Sequence, residues 1–209
     1  YQGKLVFAPV PYLTAEFPYL RLDPEKLKAK GIKPKYIYTI PTVQNPTGAI
    51  MGEARRAELL KIAAEYGVMI FEDECYSDLI WSGKRPPSLY AMAKGEGVIH
   101  IGSFSKSIAP ALRVGYIVAK WEVLSRIIAL KLDAGTGALE QMVLAEYCTP
   151  HFNTHVPELR KALRAALAAA SCGGGAPVSV GRIQIWKIFV SAASRLYSLC
   201  AMPVPALIT

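Results

Sequence analysis

Three short apolar runs, each breaking off into a cluster of polar residues, constrain this chain more than any other feature. The first ends at Thr39-Ile40-Pro41 and leads into the turn-forming Asn45-Pro46-Thr47-Gly48. The second, Val68 to Phe71, reads straight into Glu72-Asp73-Glu74-Cys75-Tyr76, and a third ends at Ser103. Between the first two lies Glu53 to Tyr66, an amphipathic helix with Leu59, Leu60, Ile62 and Ala63 near one face and Gly67 at its end. Strand, helix and strand in succession make a parallel β-α-β unit. The expected class is α/β, a mostly parallel sheet flanked by helices. In such open sheets ligands sit beyond the carboxyl ends of the strands, where Asn45, Asp73, Tyr76 and Lys106 would then gather.

Singly, these residues say little. N-P-T-G is a common turn, and acids at a strand's end usually face water. The segment Ser103 to Gly115, SFSKSIAPALRVG, is more specific. Ser103 and Ser105 can donate to an anion, and Arg113 offers a planar fork suited to phosphate. Lys106 can hold an aldehyde as a Schiff base, so a phosphorylated aldehyde, pyridoxal 5'-phosphate, would engage all four groups. Two other readings compete. Lys106 can be an ordinary surface lysine, and Ser103 to Lys106 also spells the S-x-x-K of penicillin-binding enzymes. The S-D-N and K-T-G companions of that motif are missing, since Leu79 follows Ser77-Asp78 and no Lys-Thr-Gly occurs.

In combination, N-P-T-G at Asn45 to Gly48, D-x-x-Y at Asp73 and Tyr76, S-x-S-K at Ser103 to Lys106, and R-x-G at Arg113 to Gly115 resemble fold type I pyridoxal phosphate enzymes, specifically the class I and II aminotransferases. The resemblance covers Val6 to Leu167. It implies that Asp73 keeps the pyridine nitrogen protonated, that Asn45 and Tyr76 bond the ring's phenolic oxygen, and that Ser103, Ser105 and Arg113 hold the phosphate. Lys106 would form the resting Schiff base and then serve as the base at the substrate's Cα. Gly115 would let the backbone pass closely. Lys106, Asp73 and Tyr76 are thus the expected catalytic residues. The implied reaction is a ping-pong transamination between an amino acid and a 2-oxo acid. A β-lyase or the cofactor-sensing, aminotransferase-like domain of a transcription regulator would share the same residues.

By the same resemblance the chain is a partial large domain at 1–156, a connecting helix at 157–170 and an atypical tail at 171–209. It would lack the start of the large domain and a recognisable small domain. Family members are about twice as long; lacking the substrate arginine and half of the phosphate site, the piece alone is expected to be inactive, and its parent is expected to be a cytoplasmic homodimer. Leu5 to Val10 reads as a strand, and Asp23-Pro24 to Gly31 as a capped helix. Further helices are expected over Trp121 to Leu132, Leu139 to Tyr147 and Pro157 to Ala170.

Charge adds little to the functional reading. The formal net charge is +8, and Arg160, Lys161, Arg164, Arg182, Lys187 and Arg195 follow the last acid, Glu158. The basicity is therefore concentrated in the final quarter of the chain, and no nucleic-acid surface is implied for the rest. The carboxylate-free stretch after Cys172-Gly173-Gly174-Gly175 suggests a tail foreign to the family or out of frame, and no residue there matches a substrate-carboxylate arginine. Cysteines at 75, 148, 172 and 200 have no C-x-x-C spacing and His151 and His155 lie between Pro150 and Pro157, so no metal site is expected and the histidines read as a loop or helix entry. Cys75 reads as a small buried thiol. Lys187 and the later prolines interrupt the apolar stretch near the end, so no membrane span is expected.

Overall fold

The computed structural model describes residues 31, 34–133 and 135–172. The expected strand at Leu5 to Val10, the helix from Asp23 up to residue 30 and the tail from Gly173 onward lie outside them. The chain divides into two units, Tyr1–Val143 and Leu144–Thr209.

The first unit carries a four-stranded sheet in the order β1 (Tyr36–Thr39), β2 (Met69–Asp73), β3 (Val98–Ser103) and β4 (Gly115–Val118). β1, β2 and β3 are parallel, with Thr39 opposite Glu72 and Asp73 opposite Ile101. Helix α1 (Glu53–Glu65) makes the first crossover and the short α2 (Leu89–Met92) lies on the second. Gly67, at φ +60°, ends the α1 turn as a left-handed residue that suits glycine. The parallel direction brings the carboxyl ends of three strands to one edge of the sheet.

The fourth strand departs from the parallel pattern. β4 runs antiparallel to β3, Ser103 facing Gly115. A parallel return needs a crossover, usually a helix, whereas the 104–114 connection holds only a 3₁₀ turn at Pro110–Leu112. An added Cβ on Gly115 would stand 3.1 Å from the Gly102 carbonyl oxygen, so glycine permits the close approach of the two backbones there.

Pleating sorts the side chains of β2. Ile70 and Glu72 are buried on the helix side, while Met69, Phe71 and Asp73 belong to the other face. Ile70 joins Met51, Leu59, Ala63, Leu89 and Val98 in the core, flanked by Ile37, Leu60, Tyr90 and Ala93. The buried stripe of α1 is Arg56, Leu59 and Ala63. Its spacing is helical, and an arginine occupies one of its core places.

Two helix expectations need correction. α3 spans Trp121–Ala129 and stops short of Leu132, because Leu130 and Lys131 bond back to Ile127 and Ile128 and tighten the last turn. Residues 139–147 and 157–170 belong to one helix, α4 (Ala138–Cys172), which passes through Pro150 and Pro157. His151 and His155 are therefore helical and not in a loop. Each proline deprives the helix of one N–H, but both face solvent, so the carbonyls they leave without a partner can be met by water. Thr149 Oγ1 donates to the Ala145 carbonyl at 2.7 Å beside Pro150. Tyr147 bonds His155 Nδ1 at 2.9 Å and its ring lies against His151. In the second unit, Val156, Leu159 and Leu163 form a buried helical stripe. Among the described residues no helix is long and apolar enough to cross a membrane, and no group of three or more His, Cys, Asp or Glu side chains could hold a metal ion.

Candidate active site

The loop after β1 and the segment after β2 meet at the sheet's carboxyl edge. Asn45 Nδ2 donates to the Tyr76 hydroxyl at 3.2 Å. The Asn45 loop is closed by Gly48 N donating to Gln44 O at 2.6 Å and Gln44 N to Ala49 O at 2.9 Å, and the Asn45–Pro46 peptide is cis. Lys106 Nζ stands over the Tyr76 ring, 5.7 Å from its centroid, within range of a cation–π contact. Asp73, the last residue of β2, accepts the Cys75 amide at 3.1 Å through Oδ1 and the Tyr38 hydroxyl at 2.6 Å through Oδ2. Asn45, Tyr76 and Lys106 are thus brought into one group, with Asp73 oriented three residues before Tyr76.

The remaining candidates share the loop between β3 and β4. Ser103 Oγ accepts the Ser105 amide at 3.1 Å, and the loop turns on bonds from Ile108 and Ala109 to the Phe104 carbonyl. Arg113 is exposed, takes a left-handed backbone at φ +52° and donates to Pro110 O at 3.3 Å. The two serines are therefore linked, whereas this arginine is bonded inside its own turn.

Burial raises the pKa of Tyr76 more than its Asn45 bond lowers it, so its hydroxyl stays protonated at neutral pH. Burial, then the bond to Asp73, drives the Tyr38 phenol well above its ordinary value. Burial and the neighbouring Asp73 charge push the half-buried Cys75 thiol up to about 12, with Lys106 pulling slightly the other way.

Several residues here escaped the sequence reading. Tyr38 did so because a half-exposed aromatic on a short strand carries no motif. Its period-2 relation to Tyr36 on the Asp73 face was the available signal. Arg56, Glu72 and Glu74 are buried although charged, at 0%, 0% and 4% exposure. Glu72 accepts the Leu89 and Tyr90 amides and bonds His100 Nδ1 at 2.9 Å. Glu74 takes Thr42 Oγ1 at 2.6 Å and Arg85 at 3.1 Å. For Arg56 the signal was its place three residues before Leu59 and seven before Ala63.

A primary amine beside a carboxamide–phenol pair, an oriented carboxylate and a serine-bearing loop ending in an arginine can together hold a phosphorylated aromatic aldehyde. The amine suits the aldehyde, and the carboxylate suits a ring nitrogen. The model of the family described as aminotransferase class I and II matches residues 6–170. The chain belongs to that family. Class I and II aminotransferases use pyridoxal 5'-phosphate, and the donors assembled here have the chemistry that this cofactor requires.

Among family relatives, the chain is 36% identical over 148 residues to 2-aminoadipate transaminase of Thermus thermophilus, covering 68% of this chain and 37% of that protein. It is 32% identical over 161 residues to an uncharacterized HTH-type transcriptional regulator of Bacillus subtilis, covering 72% of this chain and 33% of the regulator. Its fold matches the crystal structure of the α-aminoadipate aminotransferase LysN from Thermus thermophilus, complexed with N-(5'-phosphopyridoxyl)-L-leucine. That match has a TM-score of 0.64 and 35% identity, over 71% of this chain and 39% of that one. The chain thus spans little more than a third of the length of these aminotransferases.

Proposed function

We propose that this chain supplies the cofactor-binding wall of a pyridoxal phosphate-dependent transaminase that moves an amino group between an amino acid and a 2-oxo acid. The observation that carries this reading is the Asn45–Tyr76 bond with Lys106 directly over the Tyr76 ring. The bound cofactor would supply an electron sink for the pair released when the substrate α-carbon loses its proton.

The protein's own groups divide the work. Lys106 Nζ would hold the cofactor's aldehyde and would take the proton from the substrate α-carbon. Asp73 keeps the ring nitrogen protonated, and Tyr38 and the Cys75 amide hold its carboxylate in place. Tyr76, protonated at neutral pH, donates to the ring's phenolic oxygen together with Asn45. Ser103, Ser105 and Arg113 bind the phosphate, for which Arg113 must turn away from Pro110. Lys106, Asp73 and Tyr76 are the catalytic set in this reading.

The parent would act as a cytoplasmic homodimer in amino-acid biosynthesis, with residues 1–156 in its large domain and 157–170 leading toward a small domain. Residues 171–209 are an atypical tail in this reading, and a lone fragment would be inactive. A second reading draws support from the regulator-type relatives: the same wall could sense the cofactor behind a DNA-binding domain. Transfer of ¹⁵N from a panel of amino acids to 2-oxo acids by the full-length protein separates the two. Transfer that disappears in Lys106→Ala supports the enzyme. Cofactor binding without transfer, joined to cofactor-dependent DNA binding, overturns it.

A further inference from the structure

Glu72, Asp73 and Glu74 are consecutive, and the pleat carries the outer two to the side of the sheet opposite Asp73. On that side both meet Arg56. Its Nε donates to Met51 O at 2.8 Å, Nη1 to Pro87 O at 3.2 Å and Glu74 Oε1 at 3.5 Å, and Nη2 to Pro41 O at 3.1 Å and Thr42 Oγ1 at 2.8 Å. Glu72 Oε1 lies 3.7 Å from Nη1. The Met51 amide shares the Pro41 carbonyl at 2.8 Å. One guanidinium therefore clasps both ends of the 41–51 loop, which carries Asn45, and ties them to the two residues flanking Asp73. A cation so deeply buried is tolerated only where its donors are matched, and only the planar fork of arginine can serve so many directions at once.

We infer that Arg56 is a positioning residue for the cofactor site: from the far face of the sheet it fixes the spacing between Asn45 and Asp73 without touching the cofactor itself. This rests on the functional reading above. Arg56→Lys keeps the charge and loses the fork, and Thr42→Val removes one hydroxyl while keeping the shape. Two readouts are taken on the full-length protein, amide hydrogen exchange without cofactor and the dissociation constant for pyridoxal phosphate.

In Arg56→Lys, exchange at the Gln44, Met51 and Cys75 amides should quicken at least about tenfold while Ile99 in β3 changes less than about twofold, and the dissociation constant should rise about tenfold. Thr42→Val should move both readouts in the same direction by less, and it decides the matter if the lysine variant does not fold. Unchanged exchange in the loops, or faster exchange with unaltered cofactor affinity, overturns the inference alone. A wild-type protein that takes no cofactor on Lys106 overturns the functional reading and this inference together.

Discussion

The Tyr38 hydroxyl donates to Asp73 Oδ2 at 2.6 Å, linking β1 to the carboxylate that ends β2. Removing that donor in Tyr38→Phe leaves Asp73 with the Cys75 amide and should weaken cofactor binding roughly three- to tenfold, since bonds to charged groups contribute about 1.5–3 kcal/mol when buried and less at a half-exposed site. A fluorescence titration with pyridoxal phosphate measures it. Unchanged affinity would show that the amide orients Asp73 unaided.

The same bond has an alkaline signature. The Tyr38 pKa is raised from 10.0, first by burial and then by Asp73. The folded protein thus holds this proton more tightly than the unfolded chain, and the associated stability is present below about pH 10 and fades as pH rises above it. The stability gap between wild type and Tyr38→Phe should narrow when denaturant midpoints are compared at pH 9 and pH 11 (roughly one unit either side of the ordinary phenol value). A gap that widened would contradict the assigned direction.

Cys75 should be a sluggish nucleophile although it neighbours the site. With its thiol pushed up to about 12 from 9.0, alkylation near neutral pH should run at least about tenfold slower than that of a free thiol, the scarcity of thiolate being partly offset by its greater nucleophilicity. Peptide mapping after timed iodoacetamide exposure isolates this cysteine. A rate matching that of a free thiol would refute the burial effect.

Leu59 is 1% exposed in the core between α1 and β2. Leu59→Ala should cost about 2–5 kcal/mol of stability through lost burial and a cavity. Urea denaturation reads this out, and a loss below about 1 kcal/mol would mean that the site collapses around the smaller side chain.

Pro150 lies exposed within α4. Restoring the missing N–H with Pro150→Ala should stabilise the helix by about 1–3 kcal/mol, seen as a higher thermal midpoint by circular dichroism. A lower midpoint would show that the proline has a packing role.

The parallel part of the fold was legible because its signals are local. Apolar runs end at polar clusters, and Glu53 to Tyr66 carries a helical stripe closed by Gly67. The antiparallel β4 was not, since strand direction depends on whether the 104–114 link forms a crossover helix, and no local pattern announces that absence. α4 was misread because two prolines are ordinarily strong breakers, yet in the middle of a long helix their local cost is outweighed by the turns on either side. At the site, Asn45, Asp73, Tyr76 and Lys106 stood out through motif spacing. Tyr38 and Arg56 did not, because their importance lies in contacts across 35 and 18 residues of sequence, to Asp73 and Glu74 respectively. Residue type alone also points the wrong way for Arg56, as arginines usually face water.

The central claim is that Lys106 carries the cofactor. Incubating the full-length protein with pyridoxal phosphate, reducing with borohydride and mapping the modified peptide tests it directly. The account predicts a pyridoxyl group on Lys106, within the peptide containing Ser103 and Ser105, and none in Lys106→Ala. Label on any other lysine, or its persistence in that variant, would contradict it.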